Sequence, residues 1–228
     1  MLRCESLKKE FYYGNSIQSV LRKVDLSVKK GEIITIMGKS GNGKTTLLNC
    51  LSLLESPDDG KIYYEDKLID FNDTKNLEKF RRENIGYVFQ NPNLIPCLNV
   101  VENLIIAIHE KQSYAKKRRK ALEMLGLLGM VNKEKQSIST MSGGELQRVS
   151  ILRALINNPK IIFCDEPTGA LDEENSNNVM SILIKLTKMY NTTLVIVTHD
   201  QNVAKVGDNQ YVMREGKLYE SEWNFQII

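Results

Sequence analysis

Residues 33–49, IITIMGKSGNGKTTLLN, decide how the rest of the chain is read. The run at 33–37 is almost wholly apolar and short, which predicts a buried strand rather than a helix. Three glycines follow within six positions, Gly38, Gly41 and Gly43, and then a helical pattern starts at Lys44 and extends to about Leu54. A buried strand, a glycine-rich loop and a helix, in that order, form the framework that cradles phosphate groups. The glycines of the loop 38–43 (Gly38, Lys39, Ser40, Gly41, Asn42, Gly43) let the backbone curl so that successive amides point inward, and the helix start adds its partial positive charge. Lys44 is placed to reach the β- and γ-phosphates of a nucleotide, the Thr45 hydroxyl to ligate Mg²⁺, and Thr46 to lie near the α-phosphate.

Working outward, 20–28 alternates apolar and polar residues as a half-exposed strand does, before a turn at Lys30-Gly31. Downstream, 57–69 carries turn residues followed by short strands, and NIGYVFQ (84–90) is a further short strand ending at Gln90. From 98 to 128 the pattern is helical. The run KKRRK (116–120) within it reads as a solvated helix face rather than a lipid- or nucleic-acid-binding patch. Then come the buried strand at 160–164, a helix capped by Asp172 and running through Tyr190, the strand at 192–198, a short helix, and a terminal strand pair around REGKLY (214–219). Strands alternating with helices predict an α/β domain with a mainly parallel sheet.

The 228 residues fit one large domain or one with an insertion, and a net charge of +3 is too small to argue for a nucleic-acid partner. Cys4, Cys50, Cys97 and Cys164 show no metal-binding spacing and are expected to be reduced thiols. The start MLRCESLKKEF lacks the apolar stretch of a signal peptide, and no apolar run approaches the ~20 residues needed to cross a bilayer. If the protein works at a membrane, another chain is expected to supply the span.

Three buried runs end in polar chemistry. The first ends at the phosphate loop, the second (161–164) in Asp165-Glu166, and the third (193–198) in His199-Asp200. Ligands of open α/β sheets bind outside the carboxyl ends of the strands, so the three ends are expected to converge on one γ-phosphate. In that reading Asp165 holds Mg²⁺ through its water shell, and Glu166 is the general base for an attacking water. His199 contacts the γ-phosphate and positions Glu166 and the water, while Gln90 completes the Mg²⁺ shell or touches the water.

A second glycine-led helix start lies at Ser142-Gly143-Gly144-Glu145. S-x-x-E is a capping box, but a capping box needs no glycines, and glycine in a first helical turn weakens the helix. The expected benefit is bare backbone for an anion. Because the phosphate loop already cradles the chain's own nucleotide, these four residues are expected to close over ATP held by a second copy, giving two composite sites in a two-fold homodimer.

GKSGNGKTT, the Gln90 loop, SGGELQR, IIFCDEPTGALD and VTHD follow one another in the order and spacing of ATP-binding-cassette ATPases, and the resemblance covers nearly the whole chain. The resemblance implies a P-loop NTPase (RecA-like) core of residues 1–90 and 158–228 with an N-terminal antiparallel β part, and an α-helical subdomain spanning 91–157. It implies an aromatic stacked on adenine, with Phe11 placed best and Tyr12 and Tyr13 as alternatives. It also implies a partner-contacting loop at 169–172 with Asp172 as its key acid. FQNPNLIPCLNVVENL (89–104) and EPTGALD (166–172) are similar to segments of the lipoprotein-release, cell-division and macrolide/peptide-export group. Its members work on a separate permease from the cytoplasmic face of the membrane. The expected function is therefore an ATP-hydrolysing motor, with a permease seated beside the Gln90 loop and the helical subdomain. A sensor or cell-wall-regulating complex is the alternative. A soluble ATPase acting on DNA or ribosomes ranks below both, since the chain has no room for a long coiled coil and carries one cassette.

Overall fold

A computed structural model describes residues 1–14 and 16–221. In chain order the elements are β1 (Leu2–Tyr13), β2 (Ser16–Val28), β3 (Ile33–Met37), α1 (Lys44–Leu51), β4 (Asp59–Tyr64), β5 (Lys67–Leu68), α2 (Thr74–Asn84), β6 (Ile85–Val88), α3 (Val100–Ile105), α4 (Tyr114–Gly126), α5 (Gly143–Leu155), β7 (Ile161–Asp165), α6 (Glu173–Met189), β8 (Thr193–Thr198), α7 (Gln201–Ala204), β9 (Asn209–Arg214) and β10 (Lys217–Glu220). They fall into two compact units, one of residues 1–81 with 193–221 and one of residues 82–192.

The first unit holds an antiparallel sheet of order β2-β1-β4-β5. Its β2 runs further back than the alternation at 20–28 suggested, and its phase is not simple. Val24, Leu26 and Val28 are buried at a spacing of two, yet the next buried residue upstream is Leu21, three positions away. Lys23 lies between them with φ 59°, a left-handed bulge residue that shifts the strand by one and returns Leu21 to the core face. The partner strand β1 shifts register in the same region.

In the same unit β3 lies between β8 and β9 and is parallel to both, with Met37 opposite Thr198 and Val212. Ile33, Ile34 and Ile36 are buried and all six residues of β8 are buried, as expected of strands covered on both faces. The expected terminal strand pair is β9 and β10, turned by Glu215 (φ 48°) and Gly216 (φ 78°). Two successive positive φ values give the hairpin turn whose twist matches its strands. The helix expected over 44–54 ends at Leu51; Ser52 caps it and Leu53 takes φ 62°, which no helix accommodates.

The second unit pairs β6 with β7 in parallel, Val88 opposite Cys164, beside helices α3 to α6. Residues 161–164 are wholly buried. The run KKRRK sits on α4 and is tied down locally. Lys117 donates to the Ile108 carbonyl (2.7 Å), and Arg118, Arg119 and Lys120 face Glu134, Glu123 and Glu110. Lys116 and Arg119 are exposed, and Lys117, Arg118 and Lys120 are half-buried.

Sequence periodicity did not disclose α2. Its eleven residues, TKNLEKFRREN, contain only Leu77 and Phe80 as apolar members, and none is buried. What anchors it is a ring and a cation: Phe80 meets Tyr64 edge-on at 5.0 Å, and Arg81 donates to the Leu53 carbonyl at 2.6 Å.

Cys4, Cys50 and Cys164 are buried and Cys97 is exposed; none is in a disulfide. Burial pushes the Cys4 and Cys50 thiols up to about 12 and raises Cys164 as well, so none forms thiolate near neutral pH. Titration of the folded protein with a thiol reagent is expected to modify Cys97 quickly and the other three only after denaturation. Fast modification of more than one thiol would contradict this packing.

Candidate nucleotide site

The loop after β3 is held by its neighbours. The Gly38 amide donates to the Thr198 carbonyl (3.3 Å), and the Asn42 side-chain amide donates to the Met213 carbonyl of β9 (2.8 Å). A side chain at position 38 would stand 2.6 Å from that same carbonyl, so only glycine fits. Gly41 and Gly43 take φ 82° and 95°, the conformations that curl the loop. α1 then starts at Lys44 with no side-chain cap and no acidic residue in its first turn. The positive end of its dipole therefore faces the loop with no side-chain cap and no acidic neighbour in the helix to offset it.

Lys44 is 6% exposed. Its Nζ donates to the Gly38 carbonyl (2.7 Å) and more weakly to that of Lys39 (3.4 Å), so the cation folds back over the loop it serves. Thr45 and His199 are exposed, and Thr46 is half-buried. Because β3 and β8 are parallel neighbours in register, the phosphate loop and His199 leave the same end of adjacent strands. Asp200 is engaged locally, accepting from the Asn202 amide (2.7 Å) as the cap of α7.

In the second unit β6 and β7 place Gln90 and Glu166 on the same footing, each two residues beyond a paired position, Val88 and Cys164. A Cβ built on Gly169 would lie 3.1 Å from the Gln90 amide nitrogen and 3.5 Å from Glu166 Cβ, so the three residues are packed side by side. Glu166 takes φ 48°, a left-handed conformation costly to a residue with a side chain. The turn it makes is closed by the Gly169 amide, which donates to the Glu166 carbonyl (3.0 Å). Asp165 and Glu166 are half-buried.

The capping box at 142–145 is present. Ser142 Oγ accepts from the Glu145 amide at 3.4 Å, and Glu145 Oε2 accepts from the Ser142 amide at 2.9 Å. Lys133 Nζ also donates to the Glu145 carboxylate and, with the Ser142 amide, holds its pKa below the usual range. The two glycines differ. Gly143 is exposed, as a bare backbone for an anion requires, whereas Gly144 is buried. A Cβ at position 144 would stand 2.7 Å from Asn175 Oδ1. Packing against α6 thus accounts for the second glycine, a reason the sequence alone did not reveal.

Asn175 in turn donates its amide to Asp172 (2.8 Å), the N-cap of α6, and its side chain donates to both Asp172 oxygens. These bonds lower the Asp172 pKa, the backbone one first. Gly144→Ala is expected to lower stability by about 1–3 kcal/mol through overpacking. Thermal melts would read the loss, and truncating Asn175 should recover part of it. An unchanged melting temperature in Gly144→Ala would show that the neighbour yields freely.

The aromatic candidates divide between the faces of β1. Phe11 is half-exposed, with Lys9 Nζ 5.5 Å from its ring centroid, and Tyr12 is 70% exposed on the opposite face. The Tyr13 side chain lies outside the described residues. The apolar segment after Gln90 is partly spent on internal packing: Leu94, Val100 and Val101 are buried, while Pro96 and Cys97 are exposed. Among the described residues no helix is long and apolar enough to cross a membrane.

Comparison with known proteins agrees with this geometry. Residues 21–169 match the family model described as ABC transporter. The chain is 39% identical over 219 residues to the lipoprotein-releasing system ATP-binding protein LolD of Aquifex aeolicus, covering 96% of each. It is 33% identical to the macrolide export ATP-binding/permease protein MacB of Vibrio parahaemolyticus, covering all of this chain and 35% of that protein. Among solved structures, the dimeric ATP-binding cassette MJ0796 in a post-hydrolysis state bound to ADP and Pi superposes with a TM-score of 0.89. It is 37% identical, with 97% of this chain and 98% of that one covered. With an antiparallel sheet, a parallel-stranded P-loop core and a helical portion all in place, the chain belongs to the ABC transporter family, as one of its ATP-hydrolysing, ATP-binding components of the LolD and MacB type.

Proposed function

We propose that the protein is the motor of a membrane transporter: two copies close on ATP, hydrolyse it and reopen, and a separate permease converts the motion into export or mechanical work. The reading extends to peptide, antimicrobial or lipoprotein cargo, by analogy with the proteins that resemble it. The observation that carries it is the coexistence of two glycine-led helix starts. One bears the buried Lys44 and has no side-chain cap; the other exposes Ser142 and Gly143. The first binds the chain's own nucleotide and the second the partner's.

In this reading residues 38–46 enclose the phosphates, Lys44 neutralises the β- and γ-phosphates, and Phe11 stacks on adenine. Glu166 takes a proton from the attacking water as it adds to the γ-phosphorus. His199 holds the γ-phosphate, and Asp172 meets the partner. Thr45, Gln90 and Asp165 offer only oxygen ligands, the donor set of a hard cation such as Mg²⁺. Among the described residues no group of three or more His, Cys, Asp or Glu side chains could hold a metal ion. Mg²⁺ bound there supplies charge neutralisation on the transferring phosphoryl group. The protein would then sit on the cytoplasmic face of the membrane through its permease, with no role for nucleic acid.

Purification of tagged Glu166→Gln protein from solubilised native membranes in the presence of ATP tests the reading. A permease with a large external domain is expected to accompany it. Recovery of ribosomes or DNA without a membrane protein would overturn the transporter assignment and leave the ATPase chemistry standing.

A further inference from the structure

The backbone around Gln90 is held from α5 at both ends. Gln147, 2% exposed, donates its side-chain amide to the Phe89 carbonyl (3.1 Å), one residue before Gln90. Arg153 donates Nη2 to the Pro92 carbonyl (2.7 Å) and Nη1 to the Asn93 carbonyl (2.8 Å), two and three residues after it. Asn93 takes φ 48°, and this turn presents two successive carbonyls to one planar guanidinium fork. Burial lowers the Arg153 pKa, so its charge is kept there against a desolvation cost. Beyond the clamp the buried Asn103 binds Ile95, Leu98 and Asn99, which steadies the loop's far side. Between the two clamped points only Gln90 and Asn91 stand unheld by α5, both exposed, with the Gln90 amide beside Gly169 and Glu166.

We propose that Gln147 and Arg153 are positioning residues for Gln90: they fix the backbone on either side of it and so set where its amide stands against the Glu166–Gly169 turn. The inference rests on the reading that Gln90 serves the nucleotide chemistry. It adds a mechanical link, because the helix that makes these bonds is the one that opens at Ser142. A rigid helix rises about 1.5 Å per residue, so Arg153 lies roughly 16 Å from the Ser142 end.

Two measurements test this. Hydrogen exchange is first: Arg153→Met, which keeps the apolar stem and removes the donors, is expected to speed amide exchange in 89–95 while leaving 161–165 unchanged. Gln147→Leu should do the same for 88–91. If neither variant accelerates exchange in that loop while both remain folded, the clamp is overturned.

Steady-state ATPase kinetics come second. Arg153→Met should lower kcat by about 10-fold with KM for ATP within about twofold, since small misplacements of a reacting group are costly. Arg153→Lys should restore part of the rate. Placed on a Gln90→Ala background, Arg153→Met should have almost no further effect. Equal losses on both backgrounds would mean that Arg153 supports the fold and not Gln90. Faster loop exchange with a fully active Gln90→Ala protein would keep the clamp and reject the role given to Gln90.

Discussion

Glu166→Gln is expected to bind ATP at near wild-type affinity, to hydrolyse it roughly 10²- to 10⁴-fold more slowly, the range of a lost general base, and to accumulate as a dimer only when ATP is present. The substitution is nearly isosteric. It keeps the backbone bond from the Gly169 amide to the residue-166 carbonyl and asks no more of the left-handed φ than glutamate does. What it removes is the ability to accept a proton from water. In the proposed cycle hydrolysis removes the phosphate that joins the two copies, so a blocked enzyme should remain closed. Light scattering with ATP, with ADP and without nucleotide reads the assembly, and single-turnover hydrolysis reads the chemistry. A monomer under all three conditions would overturn closure by the isolated protein, and substantial residual hydrolysis would move the general base elsewhere.

Lys44→Met should be nearly as damaging by a different route. The side chain is buried and its Nζ is held on the Gly38 carbonyl, so methionine can occupy the volume but leaves a developing negative charge without its cation. Loss of one such stabilising group costs roughly 10²- to 10³-fold in rate. The more telling experiment is a mixture. If the nucleotide is shared as proposed, Lys44→Met protein and Ser142→Ala protein are each impaired at both composite sites as homodimers. A heterodimer of the two holds one site with both residues intact and one with neither. At equal amounts with free exchange half of the dimers are mixed, so mixing should recover activity towards about a quarter of the wild-type value, provided one site can fire alone. With heterodimers demonstrated by tag exchange and no recovery, the nucleotide would not be shared in the way proposed.

The parts of the fold that were legible from the sequence are those where one physical demand dominates. The strand at 33–37 and the loop behind it leave little choice, because buried backbone wants apolar neighbours and a curled loop wants glycine at 41 and 43. The Asp172 cap and the extent of α6 were readable for a similar reason, since capping is local. The helix α2 was not, because it buries none of its residues and owes its place to Phe80 and Arg81 acting at a distance in sequence. The candidate site divides the same way. Lys44 and Glu166 announce themselves by position after a strand. Gln147 and Arg153 look like ordinary helix residues, and only the path of the backbone at 89–93 brings carbonyls within their reach.

The fit of Gly144 against Asn175 also bears on how this sequence can change over generations. A lineage that first acquired a larger residue at 144 would meet the Asn175 side chain at once. A lineage that first shortened Asn175 would loosen its grip on Asp172, whose carboxylate it holds through both oxygens. Each route passes through a disfavoured ancestor, so the two positions are expected to persist together or be replaced together. The order of substitutions, more than their sum, then decides which descendants are reachable.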